Sequence, residues 1–374
     1  MAESVGKLRL AVVGARAVGR EILRILRQRR FPVASLRVFA TRERDIAVDG
    51  ETYRVEVIGE QVFDDIDLAL FAGGDEREGH FGPLAAQRGA VVIDNGDAFR
   101  LDPGVPLVVP EVNPDALRQH RNLIANPNCS TIQFVVALKP LHDAARLQRA
   151  VVATYQAVSG RGTSKQGSDP VEQLRLEIAE LSRRATAAAD QTKLPEERLH
   201  AVVTAASEGA DQVVADRGLF PHPIAGNVIP QVSSFGENGY SKEEMKLVYE
   251  TRKILGEPDL KITTTTVRVP VFNGHGEAAN LEFARPISAA QAREILSRAP
   301  GVVVVDDPRR AEYPLPLTAS GRDEIFVGRI REDPTVPHGL NIWIVGDNLR
   351  KGAALNAVQI AEKMIEMGLL APRK

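Results

Sequence analysis

Apolar positions along the first third of the chain alternate between two spacings. Leu8–Val13 (LRLAVV) is a short apolar run with a β-branched end and reads as a buried strand. Gly14-Ala15-Arg16-Ala17-Val18-Gly19 separates it from Arg20–Leu26, where apolar residues recur at helical spacing. Further apolar runs at Ser35–Ala40, Leu68–Phe71 and Ala90–Ile93 are each closed by turn residues, and a helical segment lies around Phe81–Arg88. Strands alternating with helices predict a parallel, doubly wound sheet, with the loops at the carboxyl ends of its strands facing a ligand.

The later pattern is mixed. It predicts a helix over Cys129–Ala145 with a long apolar face, a strand over Leu147–Val158, and Ala-, Glu-, Arg- and Gln-rich helical sequence from about 168 to 215. Ser241–Leu255 reads as a helix that Ser241 caps, with Glu244 at the capping-box position. Lys261–Val271, rich in Thr and Val, reads as a strand. A strand near Leu281, a helix over Ser288–Arg298, strands near Val302 and Phe326, a strand over Asn341–Val345 and a closing helix over Arg350–Met367 complete the pattern. The fold expected is α/β: a Rossmann-like doubly wound domain over 1–128 plus 349–374, to which the last helix returns, and an α+β domain over 129–348.

Composition narrows the function classes. A length of 374 residues suits two ordinary domains, and 44% hydrophobic with 26% charged residues is a globular balance. A net charge of −2 gives no global attraction to nucleic acid or an anionic membrane, and no apolar stretch approaches the length of a membrane span. One cysteine excludes an intrachain disulfide and fits a reducing compartment, so a cytoplasmic location is expected. The seven histidines show no zinc-type spacing, and no metal is expected.

That single cysteine is the leading chemical candidate. Cys129 lies in Asn126-Pro127-Asn128-Cys129-Ser130-Thr131, directly before the helical run. Turn residues ahead of a helix start place its sulfur at the positive end of the helix, which favours the nucleophilic thiolate. Gly14 and Gly19 carry the outer spacing of a dinucleotide fingerprint, with Ala17 and Val18 inside it, but Arg16 replaces the middle glycine. A side chain there hinders close approach to a pyrophosphate. Where NAD-binding folds usually place an acid after the second strand, this chain has Thr41-Arg42, which suits a 2′-phosphate and favours NADP. Gly73 and Asn95 stand in later loops of the cofactor side.

The cysteine motif is joined by Thr154–Gly160 (TYQAVSG), Glu243–Lys246 with Glu250–Leu255 (ETRKIL), Arg268-Val269-Pro270 with Gly274-His275, and Asp347–Glu362 (DNLRKGAALNAVQIAE). Pro106–Asn113, Asn227–Pro230 and Glu237–Tyr240 add to the set. Together, in this order and spacing over most of the chain, they resemble the aspartate-semialdehyde dehydrogenase family. The resemblance implies NADP-dependent reduction of L-aspartyl 4-phosphate to L-aspartate 4-semialdehyde with release of phosphate, in lysine, threonine and methionine biosynthesis. It implies Cys129 as nucleophile, His275 as acid/base, and Gln156 as a group positioning the substrate near the sulfur. It further implies Arg268 on the substrate carboxylate, Glu243 on its amine, Lys246 and Arg100 on phosphate, and Asn348 near the nicotinamide. The domain over 129–348 would then be catalytic and dimerising, in a homodimer or homotetramer.

The chain departs from the family pattern in a glycine loop one residue shorter, in Gly96-Asp97 where two serines are usual, and in Asp75 where a small residue is usual. Asp75 and Asp97 would repel a polyanionic cofactor if they pointed inward. The stretch 180–222 matches no pattern. Two alternatives remain at this level: another acyl-phosphate reductase, of the N-acetylglutamyl-phosphate type, or a paralogue without turnover that acts as a binding partner.

Overall fold

The apolar runs of the first third pair into a seven-stranded sheet: β1 (Leu8–Val13), β2 (Val33–Ala40), β3 (Arg44–Val48), β4 (Glu51–Val57), β5 (Leu68–Phe71), β6 (Val91–Asp94) and β7 (Leu123–Ala125), in the order β3-β4-β2-β1-β5-β6-β7. The computed structural model describes residues 6–73, 80–162, 168–190 and 218–373. Strand pairing is parallel except in the β3–β4 hairpin. Chain order reverses at β1, which lies between β2 and β5, so the Gly14 turn opens at the point where α/β sheets bind ligands.

Helix α1 (Ala17–Gln28) leaves that turn and buries Ile22, Leu23, Ile25 and Leu26 against the sheet, while α2 (Phe81–Gln87) packs beside β6. The second sheet holds β8 (Leu147–Gln156), β9 (Lys261–Arg268), β10 (His275–Phe283), β11 (Val302–Val304), β12 (Ile325–Asp333) and β13 (Gly339–Gly346), in the order β11-β12-β13-β10-β8-β9. One face is covered by α3 (Cys129–Ala145), α5 (Lys242–Leu255) and α6 (Ala289–Ser297), which share a core with it through Phe134, Leu138, Leu247, Ile254, Leu281 and Leu296. Between α3 and α5 in the chain lies α4 (Pro170–Asp190). The last helix, α7 (Leu355–Glu366), packs Val358, Ile360, Ala361 and Met364 into the core that holds β1 and α1. No described helix is long and apolar enough to cross a membrane.

Several boundaries differ from the sequence reading. The β3–β4 hairpin was not expected, because an edge pair with Ile46, Val48 and Val55 buried and the rest mostly exposed reads as a polar loop. Its signal was the Asp49-Gly50 turn, both residues having positive φ (47° and 83°). The strand expected to Val158 stops at Gln156, where Ala157 starts a tight turn, and the one expected to Val271 stops at Arg268, short of Pro270. The closing helix begins with a widened turn over 350–354, in which Gly352 and Ala354 donate to the carbonyls of Asp347 and Leu349, both at 3.0 Å. Helix α4 realises the helical expectation as far as Asp190; 191–217 and Asp75 lie outside the described residues.

Lys351, in the widened turn, is buried with its ammonium held by Glu111 at 2.7 and 2.6 Å, Asn356 at 2.9 Å and Gln359 at 2.6 Å. Removing Glu111 strands that charge. Glu111→Ala is expected to lower the unfolding free energy by about 3 kcal/mol, and the double variant Glu111→Leu/Lys351→Met, which removes both charges, by less. Urea unfolding of the two variants against the parent measures the difference.

Candidate active site

Asn128 caps α3: its side chain accepts the Ser130 N–H at 3.0 Å, which makes Cys129 the first helical residue. Asn128 is itself held from two sides. Its N–H donates to Glu250 at 2.6 Å and its side-chain amide to Glu243 at 2.9 Å. Both glutamates are buried residues of α5, spaced at two helical turns and so on one face. The capping box of Ser241 and Glu244 starts that helix. Gln156, at the end of β8, donates to the Ser130 hydroxyl at 3.0 Å and to Glu243 at 3.3 Å.

His275 opens β10. Its Nε2 is 3.4 Å from the Cys129 Sγ, and its Nδ1 accepts the Ala157 N–H at 3.0 Å. Gly160 lies so close that a Cβ there would sit 2.8 Å from the His275 ring and 3.1 Å from the Arg268 guanidinium. Arg268 ends β9 in register with Gln156 and donates to the Ala157 carbonyl at 2.6 Å. It is buried, and among the described residues no carboxylate pairs with it. Asn348 accepts the Gly274 N–H at 2.9 Å and donates to Ser159 at 3.0 Å, which fixes the turn entering His275. Gly274 has a φ of 89°, and a Cβ there would meet the Pro316 carbonyl at 2.9 Å. Strand ends and two helix starts thus bring Cys129, His275, Gln156, Arg268 and Glu243 around one point.

Arg100 is buried and donates to Glu250 at 3.0 Å and to the Asn95 carbonyl at 2.8 Å. Lys246 pairs with Asp97 at 2.9 Å and lies 3.9 Å from Glu243, so Asp97 is drawn to a lysine. Most cofactor candidates sit at the carboxyl ends of β1, β2, β5 and β6, with Asn95 joining them to Arg100 and Asn348 beside the turn entering His275. Gly14 has a φ of 97°, and a Cβ on Gly19 would lie 1.7 Å from the Gly14 carbonyl oxygen. Arg16 takes the N-cap position with an exposed side chain, and no acid stands in the first turn of α1. No acid in that first turn opposes an anion at the helix start, and these residues fit a dinucleotide phosphate. Thr41 and Arg42 are exposed at the tip of β2. A Cβ on Gly73 would meet the Asn95 main chain at 3.0 Å, and the Asn95 amide bridges Phe71 (2.7 Å) and Asn126 (2.8 Å).

Profiles of two family domains match the chain: "Semialdehyde dehydrogenase, NAD binding domain" over residues 9–120 and "Semialdehyde dehydrogenase, dimerisation domain" over 138–351. The aspartate-semialdehyde dehydrogenase of Aquifex aeolicus is 46% identical over 369 residues, 97% of this chain and 99% of the relative. The chain belongs to the aspartate-semialdehyde dehydrogenase family. The Synechocystis enzyme of that name is 40% identical over 97% of this chain and 99% of its own. A crystal structure of aspartate semialdehyde dehydrogenase II complexed with ASA from Vibrio cholerae superposes with a TM-score of 0.82 at 40% identity, covering 96% of this chain and 98% of that one.

In this member of the aspartate-semialdehyde dehydrogenase family the resting electrostatics correct the expectation of a thiolate. The Cys129 thiol is pushed up to about 12, first by burial and then by the Glu243 carboxylate; Arg268, Arg100 and the Ser130 N–H oppose the rise without matching it. The helix terminus does not by itself make a thiolate. His275 is held well below the usual imidazole range by burial and the Arg268 charge, so its ring is neutral at neutral pH. Sequence reasoning also passed over groups that shape the site. Glu250 was legible from its two-turn spacing to Glu243. Ala157 acts through its main chain, and Gly352 is needed because a Cβ there would lie 3.0 Å from that of Cys129; neither leaves a side-chain signal.

With the thiol raised, iodoacetamide labelling of Cys129 in the ligand-free enzyme should climb about tenfold per pH unit from pH 7 to 10 with no plateau near neutrality. Glu243→Gln removes one opposing charge and should label faster than the parent at pH 8, as mass spectrometry of quenched samples would record.

Proposed function

We propose that this chain catalyses the reversible NADP-dependent reduction of L-aspartyl 4-phosphate to L-aspartate 4-semialdehyde and phosphate. The observation that carries the reading is the Cys129 sulfur, 3.4 Å from His275 Nε2, beside a buried Arg268 guanidinium that feels the Glu243 charge but forms no salt bridge with a carboxylate among the described residues. Such an arginine suits the carboxylate of a small amino-acid substrate. Glu243, already hydrogen-bonded to Asn128 and Gln156, would take the substrate amine. Lys246 would exchange Asp97 for a phosphate oxygen, with the Arg100 charge, which also acts on Asp97, adding to the attraction.

The sulfur attacks the acyl carbon, the C–O bond to phosphate breaks, and the thiol proton leaves on the phosphate. Gln156 and His275 would border the acyl group and the oxygen that becomes charged, whereas the Asn128 and Ser130 N–H groups at the start of α3 already donate within the protein. When bound, the reduced nicotinamide supplies the hydride that turns the thioester to the aldehyde level. Gly14, Arg16, Ala17, Val18, Gly19, Gly73 and Asn95 would hold the dinucleotide, Thr41 and Arg42 its 2′-phosphate, and Asn348 the region near the nicotinamide.

In this reading residues 1–128 with 349–374 form the nucleotide-binding domain and 129–348 the catalytic and dimerising one. The open face of the second sheet supports self-association as at least a homodimer. There Val151, Ala153, Tyr155 and Trp343 lie beside Tyr313 and Leu315, with Tyr155 and Trp343 ring centroids 5.6 Å apart. A cytoplasmic place follows from the biosynthetic role.

The deciding assay is phosphate-dependent NADP reduction with aspartate semialdehyde, run beside N-acetylglutamate semialdehyde. The aspartyl substrate is expected to be preferred, and Cys129→Ala to fall below detection while staying folded. Preference for the glutamyl substrate, or no turnover by the parent, would sink the proposal. Arg42→Ala is expected to raise the KM for NADP about tenfold, the loss of one charge-assisted contact, and to leave that for NAD unchanged in initial-rate measurements.

A further inference from the structure

The face of the second sheet that meets α3 is built in rows across its strands. Residues paired across strands share a face, and every second residue of a strand returns to it. Arg268 pairs with Gln156 and His275 with Gly346, and these residues make the row that borders Cys129. The next row inward is Thr266, Thr154, Glu277 and Ile344, and the one after it is Thr264, Val152, Ala279 and Ile342. Glu277 therefore lies one row beneath the candidate active site, with the apolar core beyond it. On α3, Gln133 stands one turn beyond Cys129 on the same face. A Cβ on Gly346 would lie 3.0 Å from the Gln133 amide carbon, so this side chain reaches the sheet diagonally across from Glu277.

Glu277 and Gln133 are fully buried. Glu277 Oε1 and Oε2 and Gln133 Oε1 and Nε2 all lack a hydrogen-bond partner among the described residues. Their neighbours across the sheet supply none. Ile344 is apolar, the Thr154 hydroxyl accepts from Gln156 at 3.4 Å, and the Thr266 hydroxyl meets that of Ser241 at 3.4 Å. No described cation pairs with Glu277, and burial alone pushes its carboxyl well above the usual range, so at neutral pH it carries its proton. A protonated carboxyl has one O–H to give and lone pairs to fill, and the amide has two N–H donors and one acceptor oxygen. Polar groups of this kind are costly to leave unmade in a protein interior. Both side chains fit a third partner that donates and accepts at once.

We propose that a buried water molecule sits between Glu277 and Gln133 and joins β10 to α3, accepting from one side chain and donating to the other. An internal water takes about two to four polar partners, which these two side chains supply. A cation would need the carboxyl ionised, and beyond it only one amide oxygen faces the place, too few ligands to replace a hydration shell. The water would fix α3 against the sheet one turn below the sulfur. It uses no group assigned to substrate or cofactor, so the site is separate from the functional reading.

The test is a crystal structure of the ligand-free, full-length protein at a resolution that shows ordered water, with infrared difference spectra of the parent against Glu277→Gln. Expected are a density peak within hydrogen-bond distance of both side chains, and a protonated-carboxyl C=O band at pH 7 that the variant lacks. A direct Glu277–Gln133 hydrogen bond with no density between them would overturn the inference. So would a peak with the contacts of a cation beside an ionised carboxylate, or a parent without the protonated band. Glu277→Leu is expected to lose the peak; should it not fold, Gln133→Leu removes the other partner and is expected to lose it too. Neither measurement involves substrate, so a failed aspartate-semialdehyde assay and a missing water are told apart.

Discussion

The Glu250 carboxylate accepts the Asn128 N–H with one oxygen and the Arg100 guanidinium with the other, and the position of the sulfur depends on that shared anchor. Asn128 is the cap of α3, and Arg100 belongs to the loop after β6 of the other sheet. A buried carboxylate of this kind is stable only when its lone pairs meet donors, and here each donor comes from a different layer of the molecule. Lys253, one turn further along α5, donates to the carbonyls of Arg100, Asp102 and Val105 at 2.7–2.8 Å and holds the same loop from outside. One helix face therefore ties the nucleotide side to the nucleophile.

A second polar seam runs under the junction. Asn356 of α7 donates to Asn126 at 2.7 Å and to the Val108 carbonyl at 3.0 Å, and Asn126 donates to Asn95. Lys351 and Glu111 end the seam inside protein. Hydrogen bonds of this sort exchange water partners for protein partners at modest net gain, but each is costly to leave unmade. Their effect is to fix geometry: the last helix, the motif before Cys129 and the loop after β6 can sit in one arrangement only.

Within that frame the thiol and the imidazole are both held in their neutral forms. Burial raises the thiol and depresses the imidazole, and Glu243 adds to the first effect. A nucleophile stored as thiol is protected from adventitious oxidation and alkylation, since the thiolate is the reactive form. The arginine that would grip the substrate carboxylate also faces the sulfur, and Glu243, which holds the thiol up, is the group that would take the substrate amine.

The sequence determined the order of most strands and helices, though not the β3–β4 hairpin or β7, because their spacing of apolar residues is a local property, and it marked Cys129, His275, Arg268, Gln156 and Glu243 through motifs that stand far apart in the chain. It also marked where α3, α5 and α6 begin, since caps and boxes are local too. It did not determine the ionisation of the site. Helix position alone argued for a thiolate, and only the tertiary structure set Glu243 near a partly buried sulfur, where desolvation and that charge outweigh the helix terminus. Nor did it disclose the roles of Ala157 and Gly352, where a backbone and an absent side chain do the shaping. Such roles arise from which chain segments touch across the fold, and no local pattern of side chains records them.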